Sequence, residues 1–146
     1  MSGMRSLLTG KVSIITGASS GLGRAIALAF NQHGATVICA DRDMGQSPST
    51  NELIRDAGGG ENLFVPTDVS SARSVRELVK TVAQKFGRVD VMVNNAGIAP
   101  EASNPRPVNE TTEEVFDSTW QVNVRGESSD FQEPPRMQLQ KERWLL

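Results

Sequence analysis

The segment Thr16-Gly17-Ala18-Ser19-Ser20-Gly21-Leu22-Gly23 constrains the fold more than any other part of the chain. It follows a compact β-branched run, KVSIIT at residues 11–16. It opens a run with helical apolar spacing, LGRAIALAFNQH at 22–33, through Leu22, Ile26, Ala29 and Phe30. Glycines between a strand and a helix permit a tight turn and close backbone approach. The helix start adds unpaired N–H groups at the positive end of a dipole. Such a corner suits an anion, and a pyrophosphate in particular. The strand before and the helix after set it apart from an ordinary glycine-rich turn.

The same alternation continues along the chain. Strands are predicted at 36–40 (TVICA), 62–65 (NLFV) and 89–93 (VDVMV). Between them a short helix over 49–57 ends in three glycines. A longer helix over 72–86, closed by Gly87, carries Val75, Leu78, Val79, Val82 and Phe86 on one face. A proline-rich loop at 100–109 precedes Thr111-Thr-Glu-Glu114. That quartet reads as a capping box opening a helix through Val115, Phe116, Thr119, Trp120 and Val122. Alternating strands and helices imply an α/β protein with a doubly wound parallel sheet and right-handed crossovers.

After Gly126 the character of the chain changes. Residues 127–135 are polar and end in two prolines, and 137–146 offer only scattered apolar positions for a short helix. Residues 1–126 therefore read as one unit and 127–146 as a divergent, poorly ordered tail. Basic and acidic residues nearly balance, 15 against 17, which points away from nucleic acid. No run has the length of a membrane span or a signal peptide, so a cytoplasmic protein is expected. Cys39 is the only cysteine, which excludes an internal disulfide or multi-cysteine metal site, and it reads as a buried strand thiol. There is no tyrosine.

Other chemistry-bearing residues cluster at predicted strand ends. Asp41 lies eighteen residues past Gly23, where a carboxylate can accept hydrogen bonds from an adenosine ribose. It would repel a 2′-phosphate, favouring NAD over NADP, whereas Arg42 could pair with that phosphate. Asp68, followed by Val69, can meet an adenine amino group or cap the helix that starts nearby. Asn94-Asn95-Ala96-Gly97 would lie beside the glycine loop, where its small residues allow close approach and its amides can lock two strand ends together. His33 reads as a surface histidine at the end of the first helix, remote from any reacting centre. Ser128 and Ser129 read as a solvated loop, and Trp144 shows no usable pattern.

Together Gly10-Lys11-Val12, TGASSGLG at 16–23, Asp41, Asp68-Val69, FGRVDVMVNNAG at 86–97 and Val122-Asn123-Val124-Arg125-Gly126 closely resemble the short-chain dehydrogenase/reductase family. The resemblance implies a Rossmann-like sheet of order 3-2-1-4, incomplete, with its later strands missing. It implies that Gly17, Ser19, Ser20, Gly21, Leu22 and Gly23 face the pyrophosphate, Asp41 the ribose, and Asp68, Val69 and Asn95 the adenine. It matches Asn123 to the helix asparagine of the catalytic tetrad.

The family's strand serine and its tyrosine with a lysine four residues on have no counterpart. The residue four before Lys141 is Met137, which cannot transfer a proton. The family acts on small alcohols and carbonyls, and its usual dimer uses the next helix, so a family-type oligomer is not expected. Strand 89–93 would be an exposed edge. Three readings follow: a truncated product of a dehydrogenase gene, inactive alone; a non-catalytic NAD(P)-binding or interaction module; or an enzyme with another acid–base group.

Overall fold

A computed structural model describes residues 6–100, 105 and 107–126. Four strands, β1 (Val12–Thr16), β2 (Thr36–Asp41), β3 (Asn62–Pro66) and β4 (Val91–Val93), form one parallel sheet in the order β3-β2-β1-β4. Helices α1 (Gly21–Gln32), α2 (Thr50–Asp56) and α3 (Ala72–Phe86) make the crossovers, and α4 (Glu113–Trp120) follows.

Side chains alternate across a strand, so β1 feeds two cores. Ile15, Val37 and Cys39 pack with Ala27 of α1 and Ile54 of α2 on one face. Ile14, Ile38 and Ala40 pack with Leu78 and Val82 of α3 on the other. Every residue of β1 is buried, as a central parallel strand requires. The chain winds outward from β1 to β3 and then returns across the sheet through α3 to β4. That reversal puts a topological switch point between β1 and β4.

Helix ends follow local chemistry. Ser49 and Glu52 form a reciprocal capping box on α2. Ser71 caps α3, which stops at Gly87 in the left-handed region, φ 73°. The box expected at Thr111–Glu114 does not form: Thr112 is the N-cap of α4, and its side chain makes no capping bond. That helix also ends sooner than its apolar spacing suggests. It passes at Gln121 into a π-helical turn, Gln121–Gly126. Asp68 is not the cap of α3 either, since Ser71 holds that position.

Strand β4 begins two residues later than predicted, because Asp90 takes another role. Its carboxylate accepts from Val12 N–H at 2.8 Å and pairs with Arg88 and Lys11. Burial pushes the Asp90 pKa up, but the Arg88 and Val12 bonds and the Lys11 charge together hold it below the ordinary carboxylate value. Cys39 is the buried strand thiol expected, its pKa pushed up to about 12 by burial and then by the Asp41 charge. His33 stands at the C-cap of α1.

Strand β4 is an edge, with β1 as its only partner among the described residues. Helix α4 buries no residue; Phe116 and Trp120 stack on its exposed surface with ring centroids 6.2 Å apart. Among the described residues no helix is long and apolar enough to cross a membrane, and no three His, Cys, Asp or Glu side chains form a metal-binding group. Ser128, Ser129, Met137, Lys141, Trp144 and the rest of the expected tail at 127–146 lie outside the described residues.

Candidate functional site

The carboxyl ends of the parallel strands gather nearly all the residues singled out above. The glycine-rich loop leaves β1, Asp41 ends β2 and Arg42 follows it, Asp68 and Val69 follow β3, and Asn94 to Gly97 follow β4. Asn123 reaches this edge from the π-helical turn.

Steric need explains two of the glycines. Gly17 has φ +65°, and a Cβ there would lie 2.9 Å from Asn95 Nδ2 and 3.0 Å from Ala96 Cα. Gly23 lets α1 pass directly beneath the loop. A Cβ on it would overlap Gly17 O and lie 2.5 Å from Asn95 Nδ2. Asn95 is therefore the spacer between the two loops, and its Nδ2 donates to Thr16 O at 2.9 Å. The expectation that its amide locks two strand ends together is met.

Thr16 completes this junction and was not singled out by sequence. Its Oγ1 accepts from Asn95 N–H at 2.9 Å and Ala96 N–H at 3.0 Å, and donates to Val93 O at 3.3 Å. A hydroxyl at the end of a β-branched run, one residue before the first loop glycine, was the available signal.

Asp41 holds the loop from the other side. Oδ2 accepts from Ser19 N–H at 3.0 Å, and Oδ1 accepts from Arg42 N–H at 2.8 Å. Ser19 Oγ donates to Asp43 O. Asp68 Oδ1 accepts from both the N–H and the hydroxyl of Ser70, at 2.9 and 2.6 Å. The Ser70 hydroxyl is the main reason the Asp68 pKa lies below its ordinary value. Partial burial works against this, and the Ser70 N–H and the Arg42 charge add to it. Asp68 thus stays a carboxylate at neutral pH, an acceptor and not an acid.

The N-terminus of α1 differs from those of α2 and α3. Its N-cap residue, Ser20, makes no side-chain capping bond, whereas Ser49 and Ser71 cap α2 and α3; like α3, it has no acidic residue in its first turn. The donors that a helix start normally caps are left available to an external acceptor. Ser20, Gly21 and Leu22 are all exposed. Nearby, Asn94 Oδ1 is buried with no hydrogen-bond partner among the described residues.

Asn123 is engaged at both ends of its amide. Oδ1 accepts from Ile98 N–H and Nδ2 donates to Ile98 O, each at 2.8 Å. The π-helical turn, a feature often found at functional sites, aims the residue at the strand-end loop. Gly126 in the same turn sits against Val69, where a Cβ would come within 2.5 Å of Val69 O. The Asn123→Ala variant is expected to lose about 1–3 kcal/mol of stability, because two backbone groups lose their partners together. Hydrogen exchange at the Ile98 amide should quicken with it. Wild-type protection of that amide in the variant would count against the Asn123 contact.

The site has clear relatives. A family model described as short chain dehydrogenase matches residues 11–133, seven residues past the compositional break at Gly126. An uncharacterized oxidoreductase of Thermotoga maritima is 44% identical over 117 residues, covering 80% of this chain and 44% of that protein. A 3-ketoacyl-(acyl-carrier-protein) reductase of Brucella melitensis, solved with NADH, has 38% identity and a TM-score of 0.72. It aligns with 84% of this chain and 48% of its own. A metagenomic short-chain oxidoreductase solved with NADP has 31% identity and a TM-score of 0.76, over 84% and 54%. The chain thus spans about half the length of the curated relatives it matches. With a 3-2-1-4 parallel sheet, a glycine-rich corner at its switch point and these matches, the chain belongs to the short-chain dehydrogenase/reductase family of oxidoreductases.

Proposed function

We propose that this chain binds a nicotinamide dinucleotide, NAD in preference to NADP, at the crevice between the carboxyl ends of β1 and β4. On its own the 146-residue chain carries out no hydride transfer. The observation that carries the reading is the uncapped N-terminus of α1, lying over the Gly17–Gly23–Asn95 contact. The residues present fit a pyrophosphate there: exposed helix-start donors, no first-turn acid to repel it, and two glycines that let backbone approach closely. Asn94 Oδ1, without a hydrogen-bond partner among the described residues, is an acceptor and so suits a hydroxyl or amino donor of the dinucleotide rather than its pyrophosphate.

Gly17, Ser19, Ser20, Gly21, Leu22 and Gly23 would serve the pyrophosphate. Asp41 would accept from the ribose, with Asp68, Val69 and Asn95 toward the adenine and Ala96 and Gly97 lining the strand-end loop. The Asp41 carboxylate favours NAD, since a 2′-phosphate beside it would be repelled. Arg42 is the adjacent cation that opposes this preference. When bound, the nicotinamide supplies or accepts a hydride. Proton transfer at a substrate oxygen needs a positioned acid or base. The chain has no tyrosine for that task, and the Asn123 amide is committed to Ile98. The small alcohol or carbonyl substrates of the family are therefore not turned over by this chain, which reads as a non-catalytic binding module.

Calorimetric titration tests both halves of the reading. NADH is expected to bind at least about tenfold more tightly than NADPH, a difference of roughly 1.4 kcal/mol. A panel of aldehydes and ketones should leave NADH absorbance at the buffer-blank rate. Turnover above the blank would sink the non-catalytic reading, and absence of heat with either cofactor would sink the binding reading.

A further inference from the structure

We infer that Arg24 is a positioning residue for dinucleotide binding, acting through the backbone of the glycine-rich loop; the inference rests on the binding reading above. The first turn of α1 is an unfavourable place for a cation, because the helix dipole is positive there. Arg24 is nonetheless half-buried at this place and spends its guanidinium on two fixed acceptors. Nη2 donates to Ser19 O at 2.6 Å and Nε donates to Thr50 Oγ1 at 3.2 Å. Thr50 is 1% exposed, and its hydroxyl donates in turn to Ala18 O at 2.6 Å.

These bonds fall on two successive peptide groups. In the Ala18–Ser19 peptide, Thr50 holds the carbonyl and Asp41 holds the N–H. In the Ser19–Ser20 peptide, Arg24 holds the carbonyl. A trans peptide is planar, so its N–H points opposite to its C=O. Fixing Ser19 O therefore fixes the direction of Ser20 N–H, at the N-cap of the uncapped helix. Arg24 orients a donor for the phosphate side without itself touching the ligand. Its fork does this because one planar group reaches both acceptors, and a lysine ammonium offers no such rigid pair.

The test is a set of calorimetric titrations with NADH and with adenosine, which has no phosphate. Arg24→Met is expected to raise the NADH Kd about tenfold while the adenosine Kd stays within about twofold. Arg24→Lys, which keeps the charge, should resemble Arg24→Met. Thr50→Val should show the same selective loss, and Thr50→Ser should resemble wild type. The Thr50 pair carries the test even where Arg24→Met fails to fold. Equal losses for NADH and adenosine would reduce Arg24 to general structural support and overturn the inference. Full recovery in Arg24→Lys would overturn it too, by making the charge sufficient. Wild-type NADH affinity in both Arg24→Met and Thr50→Val would reject the inference and leave the binding reading standing. No NADH binding by wild type would remove both.

Discussion

Gly23→Ala is expected to abolish dinucleotide binding and to cost about 3 kcal/mol or more of stability, at the upper end of what overpacking causes. The added methyl would overlap Gly17 O and press on Asn95 Nδ2. Neither can yield at little cost. Gly17 O is backbone in a turn with positive φ, and Asn95 Nδ2 is the donor that ties the β4 loop to Thr16 O. Relief therefore requires α1 to move away from the loop or the loop to move away from β4. Either shift separates the donors that must converge on a pyrophosphate. Gly60→Ala is the control. Its Cβ would meet only Asn31 Nδ2 at 3.7 Å, and its φ lies outside the left-handed region. It should stay within about 0.5 kcal/mol of wild type, as ordinary surface changes do. Urea melts and NADH titrations of the two variants give the comparison. Near-wild-type binding by Gly23→Ala would show that the loop tolerates what its geometry disfavours.

The features legible in the sequence were those set by short-range patterning. Compact apolar and β-branched runs located all four strands, as strands buried on both faces require, and helical apolar spacing located α1, α3 and the start of α4. The glycine triplet was legible because a strand must precede it and a helix must follow. What escaped were the side-chain to backbone bonds that join distant segments. Thr50 reads as an ordinary helix-start residue, yet its hydroxyl serves Ala18, 32 positions away. Asp90 reads as part of a strand, yet its carboxylate takes Val12 N–H across 78 positions, and the strand starts after it. The Thr111 box does not form, and the N-cap falls one residue later, at Thr112, without a side-chain capping bond. Two adjacent threonines and two adjacent glutamates leave the frame of the cap undetermined, and backbone geometry chose Thr112. Asn123 was legible as a match to a family motif. That its amide is used on Ile98 could not be read from spacing, since the bond depends on the π-helical turn.

Thr16→Val should cost about 2–5 kcal/mol, a large share of the 5–15 kcal/mol that holds a typical domain together. Thr16 is 2% exposed, and valine matches its shape, so packing changes little. The loss is polar. Asn95 N–H and Ala96 N–H would both be left without the Oγ1 acceptor, and Val93 O without its donor. Stranding a buried donor costs more than a hydrogen bond normally contributes, because its partner in water has already been surrendered. The position of the loss magnifies it. Strand β4 pairs with β1 over only three residues, Ser13↔Val91, Ile14↔Met92 and Ile15↔Val93, and has no second neighbour among the described residues. The Thr16 hydroxyl extends that short ladder past the end of both strands, at the switch point where the cofactor is proposed to lie. Thr16→Ser keeps the hydroxyl and loses one methyl, for roughly 1 kcal/mol. Chemical denaturation should therefore rank wild type first, serine close behind and valine far below. The NADH Kd should follow the same order. Equal stability in the serine and valine variants would mean that the β1–β4 junction is held by backbone pairing and packing alone.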